Sequence, residues 1–179
     1  MRDDYERLLT ALHRAMIEFD FDDPKRIQHF AKVHSYAKLI GQLEGLDEKT
    51  LFTLEVAAYT HDIGIHVAEE KFGYQNGKLQ EELGPAAVRT LLNRLGVPED
   101  VTKRVTWLIA HHHTYIDISA IDYQILVEAD MLVNTFEDAE SFANRTGEKM
   151  REAAKNVRDK YFATRAGTSI LNDMFGLDN

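Results

Sequence analysis

The sequence predicts an all-α protein folded as a single compact helical bundle. Apolar residues recur at helical spacing through most of the 179 residues, and strand-like alternation is confined to the short run Tyr115-Ile116-Asp117-Ile118. Three prolines and ten glycines leave too few turns for an all-β chain. With 44% hydrophobic and 28% charged residues the chain has the balance of a globular protein, and its length, residues 1–179, fits one domain.

The first helix is expected from about Asp4 to Phe19, with Leu8, Leu9, Leu12, Ala15, Met16 and Phe19 as its apolar stripe. Asp23 caps a second helix whose first residue is Pro24, where a missing N–H costs nothing, and Gly45 ends it after Glu44. Asp47 starts a third, running from Leu51 to about Asp62, and Gly64 interrupts it. Residues 73–77 read as a loop, Gly84-Pro85 as the start of a helix that closes at Gly96, and Pro98-Glu99-Asp100 as the start of another that ends near His111-His112-His113. Ser119 with Asp122 resembles a capping box for the helix that carries Asp130, and residues 137–175 are helical with a weaker pattern.

Composition narrows the function. The chain has no cysteine, which excludes disulfides, thiolate metal sites and cysteine nucleophiles. Its net charge of −9 repels the phosphates of a nucleic acid duplex, yet leaves room for a small phosphorylated substrate in a locally positive pocket. Residues 1–6 have no signal-peptide character and no apolar run is long enough to span a membrane, so the expected compartment is the cytoplasm.

The informative residues are polar ones on apolar faces. On the second helix Val33, Ala37 and Ile40 define the buried direction; His29 falls within ~40° of it, while His34 lies ~100° away and is expected at the surface. Alone, His29 reads most simply as a core histidine with a hydrogen-bond partner. On the third helix Leu51, Leu54 and Ala58 mark the inner face, which His61 and Asp62 straddle; a hydrogen-bonded His–Asp pair is the plainer alternative there. Asp130 sits among Leu126, Val127 and Val133, whereas Glu128 projects to the other side and is expected in solvent. Two inward carboxylates need partners. No Lys or Arg stands near either in sequence, and one divalent cation would satisfy His29, His61, Asp62 and Asp130 together.

The pattern His29 … His61-Asp62 … Asp130 resembles the HD superfamily of metal-dependent phosphohydrolases. Residues 26–33 with Ala37, residues 57–64 around His61-Asp62, and residues 128–132 around Asp130 resemble its three motifs, and the likeness covers roughly residues 24–136, with residues 137–179 as C-terminal helices of the same domain. The resemblance implies a metal site between core helices, with His29, His61, Asp62 and Asp130 as ligands. It implies one divalent ion, whether manganese, cobalt, nickel, magnesium, iron or zinc. Some members hold a second metal through two further histidines, but this chain has no histidine between His66 and His111. Glu81 or Glu82 stands in that region, more simply as a helix-start or surface acid, so a single metal is favoured.

The implied activity is hydrolysis of a small phosphate ester, a nucleotide or related metabolite. Asp62 would bind metal and orient the attacking water. Projected from Val101, Val105 and Leu108, His112 points inward, His113 lies at the edge and His111 points away. His112 or His113 would contact the phosphate, protonate the leaving oxygen or hold a second metal, unless both merely cap their helix. Arg26, one turn before His29, is a candidate phosphate contact or a surface ion pair. His66, where the family often has lysine, faces either the site or solvent. Two other functions remain open: a di-iron oxygenase of the same fold, which needs six ligands, and a non-catalytic binding or signalling module. Leu171, Met174 and Phe175 either close the core or form a homodimer interface.

Overall fold

The computed structural model describes residues 2–115, 118, 120–141 and 147–178. The described residues form helices only: α1 (Arg2–Phe19), α2 (Pro24–Leu43), α3 (Glu48–Thr60), α4 (Ile63–Phe72), α5 (Gly77–Leu95), α6 (Glu99–Ile109), α7 (Ile121–Ser141), α8 (Gly147–Tyr161) and α9 (Arg165–Phe175). None is long and apolar enough to cross a membrane. The caps follow the sequence. Asp23 accepts from the Arg26 N–H ahead of Pro24, and Asp47 accepts from Lys49 and Thr50. Ser119 and the middle of the short alternating run, Ile116-Asp117, lie outside the described residues.

The centre of the fold is α3. Every residue from Phe52 to Thr60 is buried, so this helix has no solvent face, and the expected inner stripe is too narrow a description of it. It packs against α1, α2, α6 and α7, and α2 packs in turn on α7. Leu12, Met16, Phe30, Val33, Ile40, Leu54, Leu108, Ile125 and Leu132 fill the spaces between them.

Three element boundaries differ from expectation. The third helix ends at Thr60 rather than Asp62, because Asp62 adopts φ −93°, ψ 8°, the bridge region in which helical progression stops and functional side chains often sit. The fifth helix begins at Gly77, where Asn76 accepts from the Leu79 N–H, and Pro85 lies inside it instead of opening it. Glycines mark close approaches of α5 to both neighbours: a Cβ on Gly64 of α4 would come within 2.6 Å of the Gln80 carbonyl oxygen, and one on Gly84 within 2.7 Å of Ile109 Cγ2 on α6. These two glycines serve helix–helix approach and not chain reversal. The first helix starts two residues early, at Arg2.

Two side chains expected in solvent are inside. His34 stacks on Tyr59 with ring centroids 3.8 Å apart and bonds Glu55 at 2.8 Å, because α3 packs along this shoulder of α2. Glu128 is fully buried. Its carboxylate accepts from the N–H groups of Ala163 and Thr164 at 2.7 and 2.8 Å and from the Thr164 hydroxyl, so it neutralises the positive end of α9. Glu44 adds a second carboxylate there, accepting from Ala166 N–H at 2.7 Å. Leu171 and Phe175 close the core, while Met174 stays partly exposed.

Glu128→Ala leaves two amide donors and a hydroxyl without their acceptor, and is expected to cost about 2–4 kcal/mol in urea unfolding. A loss below about 0.5 kcal/mol would show that α9 docks without this carboxylate.

Candidate metal centre

Four side chains from three segments meet at the buried junction of α2, the α3–α4 turn and α7. His29 Nε2 lies 3.3 Å from His61 Nε2, 3.3 Å from Asp130 Oδ1 and 3.5 Å from Asp62 Oδ2. His61 Nε2 lies 3.3 Å from Asp62 Oδ2 and 3.5 Å from Asp130 Oδ1. His29, His61 and Asp130 are buried and Asp62 is nearly so. The helical projections therefore locate these residues, although His61 and Asp62 come from a turn.

The hydrogen bonds around the rings set their tautomers. His61 Nδ1 lies 3.0 Å from the Ala58 carbonyl oxygen, which can only accept, so Nδ1 carries the proton. His29 Nδ1 donates in the same way to Glu137 Oε2 at 3.1 Å. Two neutral imidazoles then aim bare lone pairs at each other and at two carboxylates. That arrangement repels unless positive charge enters it. Protons are one answer: both histidines are pushed above the usual imidazole range, because hydrogen bonds and charge from Asp62 and Asp130 outweigh the opposing effect of burial. Both aspartates are held below the usual carboxylate range by His61, His29 and His112 against the same burial effect.

A metal ion is the other answer, and the donors fit one. His29 Nε2, His61 Nε2 and Asp130 Oδ1 form a triangle with sides of 3.3, 3.3 and 3.5 Å. Its centre lies about 2 Å from each corner, a metal–ligand bond length for imidazole and carboxylate. Orientation of each ring through its second nitrogen is what metal-binding histidines show.

A second group, Asp62, His112 and His113, adjoins the first. His112 is buried, its Nδ1–H donates to the Ile109 carbonyl at 2.7 Å, and its Nε2 lies 3.7 Å from Asp62 Oδ1 with no hydrogen-bond partner among the described residues. His113 differs. Its Nε2 meets Gln80 Oε1 at 2.7 Å and its Nδ1 meets the Tyr115 hydroxyl at 3.1 Å, so both nitrogens are engaged. Burial, helped by His112, pushes His113 down to about 4, so the ring is neutral at neutral pH. His111 is turned away and stacks on Trp107. Glu81 accepts from His113 N–H and the Thr114 hydroxyl, and Glu82 is exposed.

Arg26 and His66 stand apart from this cluster. The Arg26 guanidinium is shared among Glu69 at 3.0 Å, Asp23 at 3.2 Å and Asp20 at 3.6 Å. The His66 ring lies against Phe19, with centroids 5.1 Å apart. The sequence reading missed Glu137, Gln80 and Tyr115. Only Glu137 had a signal, standing seven residues, two helical turns, after Asp130 on the same face.

A family model for the HD domain matches residues 26–163. The chain belongs to the HD-domain family. Among solved structures it resembles the crystal structure of a predicted HD superfamily hydrolase from an uncultured Thermotogales bacterium. The TM-score is 0.63 at 23% sequence identity, over 96% of this chain and 84% of that one, and this likeness bears on the fold. No curated protein matches closely enough to serve as a relative. The four convergent side chains are a candidate metal centre held by helices of an HD fold.

Next to Arg26 and away from this site, Asp20 is buried, with Oδ1 lacking a hydrogen bond among the described residues, and burial pushes it up to about 6 against the pull of Arg26. Folding therefore holds its proton, and stability is lost as pH rises through ~4 to ~6. Asp20→Asn is expected to gain about 1–2 kcal/mol above pH ~6 and nothing below pH ~4. Parallel pH–stability curves for the two proteins would show that Asp20 is not held protonated.

Proposed function

We propose that the protein is a metal-dependent phosphohydrolase acting on a small phosphate ester, a nucleotide or related metabolite. The observation that carries this reading is the pair of Nε2 atoms, 3.3 Å apart, flanked by two carboxylates. His29, His61, Asp62 and Asp130 would hold one divalent ion. When bound, such an ion supplies a nucleophilic water at neutral pH and polarises a phosphoryl oxygen.

The chain's own residues supply the rest. Asp62 has one oxygen, Oδ2, toward His29 and His61 and the other, Oδ1, toward His112. The first would serve the ion, and the second would accept a hydrogen bond from the attacking water and aim it. His112 offers Nε2 beside that oxygen, where an imidazolium would contact a phosphate oxygen or protonate the leaving group. His113 has neither nitrogen free, so its role would be to fix the neighbouring backbone through Gln80 and Tyr115. The same engagement supports one ion over two, because a second would have to displace one of these partners. It also weighs against a di-iron oxygenase. Arg26, already paired with three carboxylates, is left out of phosphate binding.

His61→Ala and Asp62→Ala are each expected to lose metal retention while His34→Ala keeps it, as read by elemental analysis; equal loss in all three would remove the ligand assignment. A divalent ion at a hundred times its Kd is expected to stabilise the wild type by about 2.7 kcal/mol, a Tm rise of about 5–10 °C that chelation reverses. Activity is tested on a panel of nucleotides and other phosphomonoesters and diesters with manganese, cobalt, nickel or magnesium added. Release of phosphate or of a nucleoside product that needs the ion supports hydrolysis. A metal-loaded protein that turns over none of them points to a binding module.

A further inference from the structure

We propose that Glu137 is a positioning residue of the metal centre, fixing the His29 ring so that Nε2 presents its lone pair and holding α7 at the distance from α2 that brings Asp130 to it. The proposal rests on the metal-binding reading above.

The three inward histidines are oriented in two different ways. His61 and His112 each donate Nδ1–H to a carbonyl of their own chain segment, Ala58 and Ile109. Those acceptors come with the backbone. His29 instead donates Nδ1–H across the helix interface to a side chain, Glu137 Oε2 at 3.1 Å. The orientation of this one ring therefore depends on a residue that can be replaced. The dependence has a chemical consequence. A free neutral imidazole in water prefers its proton on Nε2, and in that tautomer His29 would place a hydrogen where the ion must bind. An ionised carboxylate accepts and cannot donate, so its contact with Nδ1 selects the productive tautomer.

Glu137 does a second task with its other oxygen. Oε1 lies 3.2 Å from Lys32 Nζ, and Lys32 stands one turn after His29 on α2. One carboxylate on α7 thus grips two successive turns of α2, with the lysine offsetting its charge. Asp130 and Glu137 share a face of α7, so the grip is transmitted along that helix to the ligand. Glu137 itself is only 15% exposed, which limits the competition of water for both contacts.

The test uses the full metal-free chain. Long-range ¹H–¹⁵N NMR reports the tautomer of His29, and calorimetric titration with manganese or cobalt reports affinity. Read at a pH high enough for the ring to be neutral, the wild type is expected to show the Nδ1–H form. Glu137→Ala is expected to shift His29 toward the Nε2–H form and to weaken metal binding 10- to 100-fold. Glu137→Gln, which keeps an acceptor oxygen, is expected to recover most of the affinity. If Glu137→Ala does not fold, Glu137→Met takes its place under the same criteria, since it keeps the side-chain length and removes the acceptor. A wild type that binds metal beside an alanine variant of equal affinity and unchanged tautomer overturns the role of Glu137 alone. A wild type that binds neither ion overturns the metal-centre reading, and this proposal with it.

Discussion

Two imidazole nitrogens and two carboxylate oxygens crowded at 3.3–3.5 Å are the constraint around which the fold is organised. His29 and His61 have committed their Nδ1 protons elsewhere, and Asp62 and Asp130 are held ionised. The cluster is short of positive charge by construction. An interior this dry does not tolerate such a deficit unless a cation or protons enter it. Membership of the HD-domain family and the spacing of the donors both fit a cation there, which is the basis of the hydrolase we propose.

The helix α7 carries three acids that face three different neighbours. Asp130 faces the cluster, Glu137 faces α2, and Glu128 faces the start of α9. Each is buried or nearly so, and each has its lone pairs occupied by donors or placed where a cation can sit. The helix is therefore fixed in rotation as well as in position. On the other side, Gly77 at the start of α5 lies against the His113 ring, where a Cβ would come within 3.1 Å of Cγ, and Gln80 one turn on bonds its Nε2. The rigidity of the donor set comes from these contacts, since no disulfide is available to supply it.

The helical class and most caps were legible because they are local: Asp23 before Pro24 and Asp47 before the third helix act on their own first turn. The inward placement of His29 and Asp130 was legible for a related reason, since a projection at 3.6 residues per turn needs no knowledge of the partner helix. What the projection could not supply was the identity of the neighbour. His34 looked solvated because nothing in α2 announces that Glu55 and Tyr59 of α3 meet its shoulder, and Glu128 looked solvated because its donors, Ala163 and Thr164, lie some 35 residues downstream. The turn at Asp62 was hidden for another reason. His61 and Asp62 continue a helical spacing in sequence, and only the backbone angle at Asp62 reveals that the helix has ended.

The bond between Glu128 and the start of α9 bears on how the chain can be shortened. The family match stops at residue 163, where Ala163 offers the first of the donors that quiet this acid. A protein trimmed a few positions earlier would keep every candidate ligand yet leave Glu128, two residues from Asp130, with the Gln124 amide in place of four donors. The last helix thus completes the packing under α7, and the smallest fragment expected to keep this core intact extends past the boundary that family resemblance alone would set.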